Sequence, residues 1–534
     1  MDERALMGAG TGRSRKPRAL YFRWPLTGEF NPVRWVQEEE ALDRLTPHFE
    51  VVICEEDGDY AALLDRHRPD LAIFESKAVA ARKPVITGAR DNKSVPKAML
   101  VRSDAMCHSR LGLLADVDQL GIDACFAIDW LYAFYLSELK ERLFYMPHSV
   151  NPRIFRNFGL PKSELIAFYG HFLPSRPWKI EAARVLKAAY PCTFHPHDTT
   201  RTNADSTRMV YGEAYARELS RARFAPVEGG FHNMVTRKFL EVPGVGSALV
   251  APRFEMLEQF GFVDMHNCVL GEPGELPDKL DLLMADPGRY AALVAAGSRL
   301  VRSRHLHANR TQIRDWYEAF VAAPPGSVIR QTAVFGDFVA VPQDQAERHP
   351  ALTPTTRPID HFLLARAEAA VAARDLERAE ADLVACMNLI YARYFMEPRF
   401  YLAIVRLLQG RASEALFFLT SNYVNRGARK GLETLDPREA ALLVVAYLAM
   451  DEGEKADEIC ALHGGRGHPE LTLAAGLCGR TTPPRARSTS LFNLMPLHEP
   501  ATWIAFVADV ARAHGRTRLG VAGAQAPAAE EGVS

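Results

Sequence analysis

Short apolar runs recur through the first part of the chain, each followed by a mixed stretch. Arg18-Ala-Leu-Tyr-Phe, Phe49-Glu-Val-Val-Ile-Cys, Asp70-Leu-Ala-Ile-Phe-Glu and Lys97-Ala-Met-Leu-Val-Arg read as strands, and Tyr60–His67 reads as a helix. Runs that are apolar throughout, rather than alternating, predict parallel strands covered on both faces by helices. In such sheets the working groups sit at the carboxyl ends of strands. Here those ends offer Arg23, Glu75, and Asp104 with His108.

At Met146-Pro-His-Ser-Val-Asn-Pro152 the periodicity stops and two prolines mark a linker. A second series follows. Leu165–Gly170 is a strand ending in glycine, Lys179–Ala189 a helix, Gly246–Pro252 a strand and Asp278–Met284 a helix. The helix over Gly288–Arg302 has Asp286 as N-cap, Pro287 at its first position, and Tyr290, Leu293, Val294, Gly297, Leu300 and Val301 along one face. Ala323-Pro-Pro-Gly opens different territory. From Thr356 the pattern is helical and rich in alanine and leucine, with helices over Asp360–Ala373, Leu376–Tyr391, Pro398–Gln409, Ala412–Asn422, Pro437–Met450 and Lys455–His463. Turns at Asp375, Gly410 and Gly453 are 35 and then 43 residues apart, near the roughly 34-residue period of tetratricopeptide-like arrays. Thr481–Arg487 reads as a loop and Glu499–His514 as a last helix.

Composition narrows the class. Across 534 residues, 64 Lys and Arg balance 65 Asp and Glu, which excludes a broadly basic nucleic-acid binder. Apolar residues at 48% and charged residues at 24% are ordinary for a globular chain. Eight cysteines lie scattered with no C-x-x-C pair, as expected of reduced thiols in a cytoplasmic protein. The longest apolar run, near Ala440–Met450, falls far short of the roughly 20 residues of a membrane span. Gly8-Ala-Gly10-Thr-Gly12 mimics a nucleotide loop but follows no strand.

The chemistry concentrates in Gly229-Gly-Phe-His-Asn233-Met-Val-Thr-Arg237-Lys238-Phe-Leu-Glu241-Val-Pro-Gly-Val-Gly246. This reads as a glycine turn, a short helix, and a second glycine turn into a buried strand. A helix N-terminus after Gly229-Gly230 would favour an anion such as a diphosphate. Arg237 and Lys238 add cationic donors, and Glu241 is placed to accept from sugar or ribose hydroxyls. The other reading is an amphipathic packing helix with solvated charges. His195-Pro-His197-Asp198 lacks a third ligand at metal spacing and reads as a loop, and His305 and His307 read as structural.

These residues resemble the carboxyl half of GT-B-fold glycosyltransferases of the CgeB-like and group 1 type. The resemblance lies in Lys238-Phe-Leu-Glu241 with Gly246, Met256-Leu-Glu-Gln-Phe-Gly261, Gly274-Glu-Leu, Ala285-Asp-Pro, and His305 with Arg310. Met146-Pro-His-Ser-Val-Asn151 and Phe155 resemble the family's linker, and Phe168-Tyr-Gly170 its next strand. It covers about 140–320 by motif and 18–140 by architecture alone. Asn233 stands where related retaining enzymes carry the first of two glutamates, and Ser149 and Asn151 replace the usual glycine and aspartate.

The resemblance implies an α/β + α fold: two Rossmann-like domains followed by an α-helical, tetratricopeptide-like array. The domains are 1–17, a disordered leader; 18–148, an acceptor domain; 149–322, a nucleotide-sugar domain; 323–355, a linker; 356–480, the array; and 481–534, a loop, terminal helix and disordered tail. It implies a hexosyltransferase using a nucleotide-sugar as substrate, with no cofactor and no metal. Donor binding falls to Gly170, His171, Arg176, Lys179, Asn233, Arg237, Lys238, Glu241 and Gly246, and acid–base catalysis to Asp104 or His108. The acceptor is a protein or a glycan, and the array recruits a protein partner or self-associates. The rival readings are a non-catalytic scaffold with a degenerate GT-B fold and a nucleotide-sugar epimerase.

Overall fold

The computed structural model describes residues 15–23, 32–76, 84–102, 109–173, 175–195, 210–230, 232–389, 397–424, 435–463, 466–480, 486–487, 490, 492 and 498–516. The leader 1–14, Asp104, His108, His197, Asp198 and the tail from 517 lie outside them.

The first α/β unit carries β1 (Arg18–Phe22), α1 (Pro32–Leu45), β2 (Glu50–Cys54), α2 (Tyr60–His67), β3 (Leu71–Glu75), β4 (Lys97–Val101), α3 (Ser109–Leu120), β5 (Ala124–Ala127), α4 (Tyr132–Tyr135) and β6 (Leu143–Tyr145). Its sheet is parallel in the order β2-β1-β3-β4-β5-β6. Every residue of β3 and β4 is buried, which is why both read as unbroken apolar runs. Alternate residues serve opposite faces. Leu20, Phe22, Ala72, Phe74 and Met99 pack with Tyr60 and Leu63 of α2, and Phe22 stacks on Phe74 at 4.4 Å. Ala19, Tyr21, Leu71, Ile73 and Ala98 pack with Ala41 and Leu45 of α1.

The second unit carries β7 (Glu164–Tyr169), α5 (Pro177–Ala189), β8 (Cys192–His195), α6 (Gly212–Ser220), β9 (Ala222–Pro226), α7 (Lys238–Gly244), β10 (Ala248–Ala251), α8 (Glu255–Gln259), β11 (Val269–Leu270), α9 (Leu276–Ala285) and α10 (Pro287–Arg304). The parallel order is β8-β7-β9-β10-β11. Both sheets therefore reverse strand order beside their first strand, β1 against β3 and β7 against β9. Such a switch point opens a crevice at the carboxyl edge.

The domain limits differ from the sequence reading. Helix α11 (Gln312–Ala322) and the antiparallel pair β12 (Ser327–Gln331) and β13 (Phe338–Pro342) pack on the first unit. Trp316 meets Phe126 edge-on at 5.9 Å, and Ile313, Ile329 and Phe338 share that core. The expected end of the second domain and the expected linker are thus a return crossing that seals one face of the first sheet.

The link between units is fixed by the histidines read as structural and by Arg310. Arg310 donates to the carbonyls of Pro147 at 2.9 Å, His148 at 2.6 Å and Arg304 at 2.9 Å. His305 pairs with the Phe260 carbonyl at 2.8 Å and His307 with Ser149 at 2.8 Å.

The helical region holds α12 (Ile359–Ala372), α13 (Leu376–Leu389), α14 (Glu397–Leu408), α15 (Ala412–Val424), α16 (Pro437–Ala449), α17 (Gly453–His463), α18 (Pro469–Leu477) and α19 (Pro500–Ala513). Apart from α18, which the sequence reading did not expect, these helices match the expectation within a few residues. In a solenoid each repeat touches only its neighbours. Here α12 to α17 pack in succession, α14 also meets α16 of the next pair, α19 lies against both, and Pro437–Ala446 of α16 is buried throughout; these contacts do not by themselves set a tetratricopeptide-like array apart from a helical bundle. The bundle docks on the first unit through Arg110 of α3 and Glu397 of α14, a fully buried pair at 3.1 Å. Among the described residues, no helix is long and apolar enough to cross a membrane.

Candidate functional site

At the switch point of the second sheet, β7 ends and the chain turns at Gly170, whose φ of 88° suits glycine. Two ammonium groups converge on this turn. Lys179, in the first turn of α5, donates to the carbonyls of Tyr169 at 2.8 Å, Gly170 at 3.2 Å and His171 at 3.2 Å. Lys238, which opens α7, donates to the same Tyr169 carbonyl at 3.2 Å. A Cβ at Gly170 would lie 2.6 Å from Lys238 Nζ, so a side chain there would push that ammonium aside as well as strain the left-handed backbone. Arg176 closes the group, donating to the Glu228 carbonyl at 3.1 Å.

This crowding is visible in the protonation equilibria. Burial, with the charges of Lys238 and Arg176, lowers Lys179 to about 7 against the pull of Glu228. Burial also lowers Lys238, with Glu241 opposing and Arg176 assisting. Lys179 is buried and Lys238 half-buried, and the two repel each other across neutral carbonyls with Glu228 and Glu241 offsetting only part of their charge, an arrangement suited to an anion.

The source of the positive potential differs from the sequence expectation. Helix α7 starts at Lys238, well beyond Gly229-Gly230, and spans only 7 residues with no side-chain cap. The intervening chain is a tight loop: a Cβ at Gly229 would run into the Met234 backbone, and Asn233 takes a left-handed φ of 54°. The longer helix α5 has its N-terminal amides taken. The Glu228 carboxylate accepts from Lys179 N at 2.9 Å and Trp178 N at 3.3 Å. The cations at the turn, not a helix dipole, therefore supply the charge. Glu228 was missed from sequence; it is a lone acid before a glycine pair, and its capping role depends on β9 ending at Pro226.

Glu241 lies buried in α7, and the Tyr215 hydroxyl shares a hydrogen bond with it. Burial pushes its carboxyl up, against Arg237 and Lys238 and with Glu40. Arg237 is engaged elsewhere: its guanidinium pairs with Glu40 of α1, across the two units. That pair and the Asp43 contacts to Asn151 and Arg153, both at 2.6 Å, tie α1 to the linker and the second unit. Gly246, expected at the donor site, sits at the amino end of β10 with φ 78° and faces Asn157. It is a turn on the opposite edge, because the site residues gather at carboxyl ends. Glu75 is buried against Arg102 at 3.1 Å and the Tyr21 hydroxyl. Arg23 pairs with Glu55 at 2.6 Å. His195 pairs with Glu164 at 2.8 Å. Among the described residues, no group of three His, Cys, Asp or Glu side chains is placed to hold a metal.

Beside the cation group lies a cavity of about 560 Å³. Glu228, Gly230 and Asn233 border it from the second unit, Trp130 and Leu131 from the first, and Ile359 and Phe362 from α12. Its size falls within the roughly 300–1,000 Å³ of small-molecule sites.

No curated protein matches the chain. Among solved structures it is similar to sucrose-phosphate synthase from Thermosynechococcus elongatus, at 13% identity over 57% of this chain and 99% of that one, with a TM-score of 0.40. It is similar to HepE from Anabaena in complex with UDP-glucose, at 12% identity over 56% and 98% of the two chains, with a TM-score of 0.39. A glycosyltransferase from Rickettsia africae shares 10% identity over 58% and 100%, with a TM-score of 0.39. The glycosyl transferase-like family model matches residues 176–314, the span that holds Arg176, Lys179, Glu228, Lys238 and Glu241.

Proposed function

We propose that this protein transfers a hexose from a nucleotide-sugar donor to an acceptor through a CgeB-like GT-B site. The observation that carries the reading is the convergence of Lys179 and Lys238 on the Gly170 turn. The family match over 176–314 holds Lys179 and Lys238, though it begins after the Gly170 turn, and supports the reading. The donor diphosphate sits against Gly170 and His171, where Lys179, Lys238 and Arg176 meet the charge that develops as the leaving group departs. Glu241 accepts from donor hydroxyls, and Asn233 faces the sugar across the cavity. These cations serve the leaving group without a metal. Asp104, with His108 second, takes the proton of the acceptor hydroxyl from the first unit. The acceptor, a protein or a glycan, reaches the site past the helical bundle, which recruits it or self-associates. No described cysteine forms a disulfide, in keeping with a cytoplasmic protein.

Asn233 in place of an acid favours a second reading, a scaffold that binds the donor without turning it over. A thermal-shift panel of nucleoside diphosphates and their sugars tests the donor site, and a melting temperature raised by none of them refutes it. Release of nucleoside diphosphate from the sugar form, lost in Glu241→Ala, separates the transferase from the scaffold. An isomerised sugar without diphosphate release identifies an epimerase.

A further inference from the structure

The loop from Gly229 to Arg237 joins the cap of α5 to the start of α7, so its conformation places both Glu228 and Lys238. Buried acids from outside its own unit grip it. Glu40 of α1 pairs with Arg237. Asp129, just past β5, accepts the Val235 backbone N–H. The third acid comes from the helical bundle. Asp360, near the start of α12, is 0% exposed. Its Oδ2 accepts from the Tyr135 hydroxyl at 2.7 Å and stands 3.8 Å from His232 Nε2. The Tyr135 ring meets His232 edge-on at 5.8 Å. The seam thus brings together α4 of the first unit, the donor loop of the second, and the bundle. Burial raises the Asp360 carboxyl, but the nearby His232 and His361 and the hydrogen bond from Tyr135 more than offset that, and it stays below its ordinary value. A second contact joins the first unit and the bundle, since Arg110 donates to the Tyr135 carbonyl at 3.2 Å and pairs with Glu397 of α14.

We propose that Asp360 is a positioning residue of the donor site: through His232 it sets the 229–237 loop, so the helical bundle governs how tightly the α/β units hold a donor. The inference rests on the donor-site reading above, and the test separates the two. Asp360→Asn, His232→Gln and the double variant are compared with the full-length protein by hydrogen–deuterium exchange over 229–237. Affinity is measured by calorimetry for whichever of UDP, GDP, ADP or CDP binds the wild type most tightly. Each single variant is expected to exchange faster in that segment and to bind about tenfold more weakly, with the double variant no weaker than either single one. Asp360→Glu is expected to restore most of the affinity. Unchanged exchange over 229–237, or losses that multiply to about a hundredfold in the double variant, overturns the coupling. If the wild type binds no nucleoside diphosphate, the donor reading falls, and the exchange comparison alone decides Asp360. If Asp360→Asn does not fold, His232→Gln carries the same comparison from the loop side.

Discussion

Nucleoside diphosphate binding is predicted to take up a proton. The perturbed group is Lys179, lowered to about 7 in the unliganded site by burial, Lys238 and Arg176. A diphosphate at the Gly170 turn adds negative charge to that of Glu228 and returns that ammonium toward its ordinary range. Below pH 7 the lysine is already charged and binding takes up little. Above it, each bound ligand takes up close to one proton, and affinity falls as pH rises. One group titrating at about 7 weakens binding by about 25-fold between pH 6.5 and 8.5, or about 1.9 kcal/mol at 1.36 kcal/mol per pH unit. Lys238, also lowered by burial, and Glu241, raised by it, act in the same sense: as pH rises, one loses positive charge and the other gains negative charge. The assay is calorimetry in Hepes and in Tris, whose different ionisation heats report the proton count, repeated across the pH range. Lys179→Met should weaken binding and flatten the pH profile. Equal heats in both buffers, with affinity constant across that range, would show that no diphosphate meets this lysine.

Two further substitutions test the packing that holds the site. Gly170→Ala imposes a left-handed backbone on alanine, at about 1–2 kcal/mol, and pushes a methyl toward Lys238 Nζ at 2.6 Å. Calorimetry should show at least a tenfold loss of nucleoside diphosphate affinity, about 1.4 kcal/mol. Glu397→Gln takes the carboxylate charge from a pair with Arg110 that is almost fully enclosed. Urea unfolding should show a loss of about 1.5–3 kcal/mol, and an unchanged stability would place that seam in contact with water.

Apolar patterning revealed what depends on local burial and missed what depends on which distant segments meet. Strands β1, β3, β4, β7 and β10 stood out because strands covered on both faces are apolar at successive positions; the edge strand β2 stood out only by its Val-Val-Ile run, since most of it is not buried. Strands β5, ACFA, and β8, CTFH, are too short and too mixed to stand out. Lys179 was found because it opens a predicted helix after the strand that ends at Gly170, and Lys238 because it stands beside Arg237 in the segment bounded by two glycine turns. Their convergence on one carbonyl was not visible, because it needs the parallel register of β7 and β9. Helix α11 showed an apolar face, but periodicity cannot say which core that face will join. Trp316 and Ile313 join the first unit, and this is why the expected boundary at 322 fails.

The acids expose the same limit from the other side. Near the start of a predicted helix, Asp360 reads as a solvated charge favoured by the helix dipole. Glu397 reads the same way beside Pro398. Both are instead buried at the seams between the bundle and the α/β units, paired with Arg110, Tyr135 or His232. An ionised group leaves water only where partners are already in place, and removing one partner strands the other. The bundle is therefore bound to the transferase-like part through contacts that tolerate little rearrangement. One of them ends on the loop that carries Asn233 and leads to Lys238. A helical region added only for recruitment needs no buried acid beside the 229–237 loop; on the proposed reading, Asp360 there joins the bundle to the donor site.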